Sequence, residues 1–118
     1  MQRHFTRVKF ATRTGVEIGG TWHEAQLVDI SLKGALVAFP AELNLTEGLH
    51  CNVEIHLDSP DLVLPFGGEI VHYHDRLAGI KFTHIAIGSM IHLRRLVELN
   101  SSDPDRVETE LHSLIGAE

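Results

Sequence analysis

The chain lacks most of what the common function classes require. It has one cysteine, Cys51, so no internal disulfide can form and a reducing, cytoplasmic setting is expected. No apolar run approaches the roughly 18 residues of a membrane span. The N-terminus is polar and basic with no apolar stretch behind it, so no secretory leader is expected. Aromatic residues make up only 6%, with one Trp and one Tyr, and the formal net charge is −6. Single-stranded nucleic acid needs stacking platforms in a basic groove, and duplex DNA or an acidic membrane needs positive charge. Nucleic acid and membrane are therefore not expected as partners. No Gly-rich phosphate loop, nucleophile elbow or paired-carboxylate signature is visible, so an enzyme is not expected. The nine histidines lack a cysteine or carboxylate at a familiar zinc spacing, so no metal or cofactor is expected either.

What is present is a balance suited to one folded domain. Hydrophobic residues at 43% and charged residues at 22% are ordinary for a globular chain, and 118 residues suffice for one core. The charge is unevenly placed. Residues 1–16 carry Arg3, Arg7, Lys9 and Arg13 and no acid. Residues 98–118 carry Glu98, Asp103, Asp105, Glu108, Glu110 and Glu118 against Arg106. A basic head on an acidic body points to a local anion site, or to a solvated tail.

Strand patterns run through the first three quarters of the chain. Residues 5–13 read as a strand, then Thr14-Gly15 and Gly19-Gly20 as turns. Thr21 to Ile30 reads as a second strand, with Trp22, Leu27, Val28 and Ile30 available for packing. Gly34 to Phe39 is a short apolar strand, and Val53, Ile55 and Leu57 alternate with polar residues at period two. Ser59-Pro60-Asp61 turns the chain. Leu62 to His74 continues as strand, with Gly67-Gly68 allowing a bulge. Asp75-Arg76 reads as a hairpin turn before a last strand from Ala78 to Ile85.

After residue 87 the period changes. Ser89 is expected to cap a helix with Met90, Ile91, Leu93, Leu96 and Val97 on its apolar face. Asp103 caps a second helix with Pro104 at its first position, where a ring without an N–H is tolerated. Val107, Leu111, Leu114 and Ile115 form its stripe, which packs on the body or on a second copy. The fold class is mainly β: an antiparallel barrel or sandwich with C-terminal helices.

Two pieces carry chemistry. Arg3-His4-Phe5-Thr6-Arg7 sets two guanidiniums four residues apart, on one side of an extended chain. At the junction of two strands stands Asp29-Ile30-Ser31-Leu32-Lys33-Gly34. Alone, the second piece is a turn in which Asp and Ser bond their own backbone and Gly takes a positive φ. In this order and spacing, the two resemble the signature of the PilZ domain family, Arg-x-x-x-Arg followed by Asp/Asn-x-Ser-x-x-Gly. Gly68-Glu69-Ile70-Val71 and Gly79-Ile80-Lys81-Phe82 look like the family's late strand pair. His92 to Asn100 and the acidic helix after it resemble the tail of small stand-alone PilZ proteins of pseudomonads.

The resemblance implies a six-stranded antiparallel barrel, one domain over 1–118, that binds cyclic di-GMP. It divides the chain into a flexible basic segment 1–8, a barrel 9–86 and helices 88–116. Arg3, Arg7, Asp29, Ser31 and Gly34 are the implied ligand-binding residues, with His72 standing where relatives carry a stacking tryptophan. Guanidinium bonds phosphate or guanine bidentately, and a carboxylate accepts from guanine N1–H and N2–H₂. Gln2 stands where some members carry a further cation, so one ligand or a stacked pair is open. A stand-alone receptor is expected to change conformation and act on an unknown downstream protein in trans, as a monomer or weak homodimer. The alternative is a constitutive adaptor built on the same barrel.

Overall fold

The computed structural model describes residues 5–57 and 62–115. Seven strands run β1 (Val8–Lys9), β2 (Arg13–Ile18), β3 (Thr21–Ile30), β4 (Gly34–Ala38), β5 (His50–His56), β6 (Val63–His74) and β7 (Leu77–Ile85). Two helices follow, α1 (Ile87–Asn100) and α2 (Pro104–Ile115). All pairings are antiparallel, and the order β3-β2-β5-β6-β7-β4 closes on itself through β3–β4. The result is a six-stranded closed barrel with β1 as an extra strand. Closure removes the open sheet edges that would otherwise template aggregation.

Strand β3 organises the barrel because it is long enough to serve three neighbours. Its first half pairs with β2 from Thr21↔Ile18 to Gln26↔Arg13, and its last two residues pair with β1 as Asp29↔Lys9 and Ile30↔Val8. Its other edge holds β4, with a register shift between Leu27 and Asp29. The alternation of β2, β5 and β7 turns Val16, Val53, Ile55 and Ile80 inward, where they join Leu27, Ile30, Val37 and Ile70. Burial of each such side chain contributes about 1.5–3 kcal/mol. Phe66 and Phe82 stack at 4.5 Å across β6 and β7.

Several local expectations are corrected. The strand expected over 5–13 is two pieces, β1 and the start of β2. Thr14-Gly15 is not a turn but lies inside β2, paired to both β3 and β5. Gly15 is there because Trp22 lies over it; a Cβ would meet the indole at 3.3 Å. Trp22 is consequently 52% exposed, outside the barrel. The true turn is Gly19-Gly20, both at positive φ, joining β2 to β3. Asp75 and Arg76 also take positive φ and close β6 onto β7. The Arg76 carbonyl accepts from the Phe39 N–H at 2.8 Å, which ties that tip to the end of β4. Ser59-Pro60-Asp61 lies outside the described residues.

The helices differ from the pattern in their details. Ala86, not Ser89, precedes α1, and it makes no side-chain cap bond. Ser89 is buried on the face that carries Leu93, Leu96 and Val97. Ile91 lies one residue off that face and is 58% exposed. α1 rests against β6 and β1, and α2 rests on α1. Asp103 does cap α2, accepting from the Arg106 N–H at 3.3 Å, an interaction typically worth about 1 kcal/mol. Val107 is fully buried, with Leu111 and Leu114 packed against the same core. That stripe serves the chain's own body. No helix among the described residues is long and apolar enough to cross a membrane.

Candidate ligand-binding site

The turn that joins β3 to β4 is held by its own atoms. The Ser31 N–H donates to the Gly34 carbonyl at 2.8 Å. The Ser31 hydroxyl oxygen accepts from the N–H groups of Lys33 at 3.1 Å and Gly34 at 3.2 Å. The Phe82 N–H donates to the Lys33 carbonyl at 2.8 Å, which fastens the turn to β7. Ser31 is buried, so its hydroxyl is a structural element of the turn. Gly34 does not take the positive φ expected of it, since the described glycines with positive φ are Gly19, Gly20 and Gly48. It is required for another reason: a Cβ there would overlap the backbone carbonyl of Ile80 on the neighbouring strand.

Asp29 does not fold back onto its own backbone. Its Oδ1 accepts from Arg7 Nη1 at 2.9 Å. The geometry follows from strand pairing. Asp29 lies opposite Lys9, and Val8 between Arg7 and Lys9 points into the core. Arg7 therefore shares the outward face with Lys9 and reaches Asp29 diagonally. The arginine side chain is 61% exposed and the carboxylate 19%, so the pair sits at the barrel surface with one half sheltered.

The arm that carries Arg7 is anchored from the far end of the chain. Glu110, buried on α2, accepts from the Thr6 N–H at 3.0 and 3.1 Å and from the Thr6 hydroxyl at 2.7 Å. Arg106 Nε donates to the same carboxylate at 3.3 Å. Phe5 packs against the core edge, and Lys33 Nζ stands 5.3 Å from its ring centroid. Sequence spacing held no signal for the Thr6–Glu110 contact, which spans 104 positions.

One cavity of about 660 Å³ gathers these groups. Its lining includes Arg7, Asp29, Ser31, Gly34 and His72, the five described members of the implied ligand set. Arg3 lies outside the described residues. His72 enters through a register shift in β6 between Ile70 and His72, which leaves both Val71 and His72 on the outside. His72 pairs with Gly79, and its imidazole lies across the space a Cβ of Gly79 would need. The glycine thus leaves the room that the ring occupies against β7. Lys33 and Lys81 also line the cavity and were not in the implied set. Lys81 lies opposite Gly34 on β7, a register that the sequence does not display.

The remaining chemistry-bearing residues are dispersed. His74, His84 and Cys51 lie away from this cavity, and no three His, Cys, Asp or Glu among the described residues are grouped to hold a metal. Burial, with a smaller push from Glu17, raises the Cys51 thiol to about 11, so it stays protonated at neutral pH.

Comparison with known proteins places the fold. A family model described as PilZ domain matches residues 1–99. The solved PilZ domain of YcgR from Escherichia coli, with c-di-GMP, is 14% identical over the whole of both chains at a TM-score of 0.72. The Bacillus subtilis inhibitor of motility MotI/DgrA is 16% identical at a TM-score of 0.73 and covers 86% of this chain. This chain spans 54% of MotI's length. PlzA of Borreliella burgdorferi in complex with c-di-GMP is 17% identical at a TM-score of 0.62, over 78% of this chain and 39% of PlzA. At such identities the likeness to these structures is one of fold.

Proposed function

Since the chain belongs to the PilZ domain family, we propose that it is a receptor for cyclic di-GMP that changes conformation on binding and acts on a partner protein in trans. The observation that carries this reading is the convergence of Arg7 from the arm, Asp29 from β3, Ser31 from the turn, Gly34 from β4 and His72 from β6 on one cavity. The similar YcgR and PlzA structures are with c-di-GMP.

Arg7 and Asp29 are each other's partner in this structure. An exposed ion pair contributes only about 0–1 kcal/mol. A charge-assisted hydrogen bond nets roughly 1.5–3 kcal/mol. A phosphodiester that takes Arg7 from the carboxylate frees Asp29 to accept from guanine N1–H and N2–H₂. Arg3 joins Arg7 in this reading as the second guanidinium of the motif. His72, packed over Gly79, offers a ring for a guanine to stack on. Ser31 and Gly34 keep the turn in shape and leave its edge open to the ligand.

The signal travels by the arm. Thr6 adjoins Arg7 and holds Glu110 of α2 by three contacts. A ligand that takes Arg7 from Asp29 pulls on this clasp and alters the surface formed by residues 5–9 and α2. Isothermal titration with cyclic di-GMP tests the reading. Binding is expected, and Arg7→Ala lowers affinity at least tenfold while circular dichroism is unchanged. No heat at tens of micromolar ligand would overturn it and leave the constitutive adaptor.

A further inference from the structure

The cavity holds more positive charge than the two-part motif supplies. Lys33 sits in the β3–β4 turn and Lys81 on β7 opposite Gly34, and both ammonium-bearing side chains are exposed. Among the lining residues the fixed charges are Arg7, Lys33 and Lys81 against Asp29, three cations to one anion, a balance of +2. The whole chain carries −6. This concentration of cations in one concavity is opposite in sign to the body around it. Neither lysine is in an ion pair among the described residues, although Glu69 lies opposite Lys81 across the strands.

The backbone beneath Lys33 is fixed at both ends. Its N–H donates to Ser31 Oγ and its carbonyl accepts from Phe82. Its ammonium is drawn toward the Phe5 ring, on the arm that carries Arg7. Lys81 is fixed by pairing on both edges, to Gly34 and to Glu69. Both cations thus stand on rigid strands or a rigid turn, while Arg7 stands on the arm. Guanine edges are neutral and do not require such charge; a ligand with two phosphodiesters does. An ammonium acts on phosphate as a compact point charge and needs no bidentate geometry.

Resting on the cyclic di-GMP reading, we propose that Lys33 and Lys81 are phosphate contacts of this cavity, and that they set its preference for doubly over singly charged cyclic nucleotides. The arm's arginine then recognises geometry, and the two lysines supply charge that is present before the arm moves.

Titration of the intact chain with cyclic di-GMP and with cyclic GMP, at low and high salt, tests this. Lys33→Gln and Lys81→Gln each weaken cyclic di-GMP binding about three- to fivefold at low salt, and the double variant about tenfold. The double variant also loses part of the salt dependence and narrows the preference over cyclic GMP. Phe5→Leu keeps the Lys33 charge and an apolar side chain against the core while it removes the aromatic ring, so its salt dependence matches that of the unaltered chain. Unchanged affinity and salt dependence in the double variant would overturn the proposal and leave the receptor reading standing. The same loss of salt dependence in Phe5→Leu would also overturn it, by assigning Lys33 to arm packing. Silence of the unaltered chain toward cyclic di-GMP would overturn both readings together.

Discussion

The two halves of the binding motif are built in opposite ways. The turn Ser31 to Gly34 is satisfied from within: Ser31 bonds Lys33 and Gly34, and β7 closes over it. The arm from Phe5 to Lys9 is satisfied from outside, by Asp29 on β3 and Glu110 on α2. Self-satisfied backbone persists whether or not a ligand is present. The Arg7–Asp29 contact is exposed on its arginine side, and such a contact changes partners more readily than a buried one. In the proposed receptor the turn would be the platform that stays and the arm the lever that moves.

The sharpest break in this comparison is at Gly34. Gly34→Ala drives a methyl into the Ile80 carbonyl, and backbone on both sides leaves no flexible atom to yield. The expected cost is about 3 kcal/mol, at the upper end for overpacking. Urea denaturation measures it, and a loss below about 1 kcal/mol would show that the turn is looser than its bonds imply. This loss is one of fold, so any loss of ligand affinity in Gly34→Ala is secondary to it.

Glu110→Ala tests the lever. It leaves the Thr6 N–H, the Thr6 hydroxyl and the Arg106 Nε without their acceptor. The expected cost is about 2 kcal/mol, as for other hydrogen bonds lost to a charged group. Amide hydrogen exchange would quicken at residues 6–9 and in α2 while the amides of Lys33 and Gly34 stay protected. Equal quickening in the turn would mean that arm and turn form one cooperative unit.

The smallest effect is at Ser31. Ser31→Ala removes one acceptor of two N–H groups, at about 1–2 kcal/mol, and leaves the 2.8 Å backbone bond of the turn in place. Thermal denaturation should fall by several degrees. A larger fall than for Glu110→Ala would reverse the order of the two regions.

Much of the barrel was legible from the chain alone. Period-two alternation marked β5, and turn residues marked the Gly19-Gly20 and Asp75-Arg76 hairpins, because those signals are local. The late pair Gly68–Val71 and Gly79–Phe82 does lie side by side, with Ile70 opposite Ile80. The failures share a cause. Gly15 reads as a turn in sequence, but the space it leaves is filled by Trp22 from the next strand. Ser89 reads as a cap, but its small side chain suits the buried face of α1. Ile91 reads as core, but it lies just off the face that β6 and β1 cover.

The site divides the same way. The residue types of the motif, their spacing and the anion-seeking charge of the first 16 residues belong to the sequence, because guanidinium, carboxylate and glycine carry their chemistry wherever they stand. Tertiary structure decided their relations. Strand register set Arg7 diagonal to Asp29, and a bulge in β6 turned His72 outward onto Gly79. Antiparallel pairing brought Lys81 beside Gly34, and packing of the last helix put Glu110 under Thr6. Contacts across so many positions have no local signature, since the chain can bring them together only after the barrel has closed.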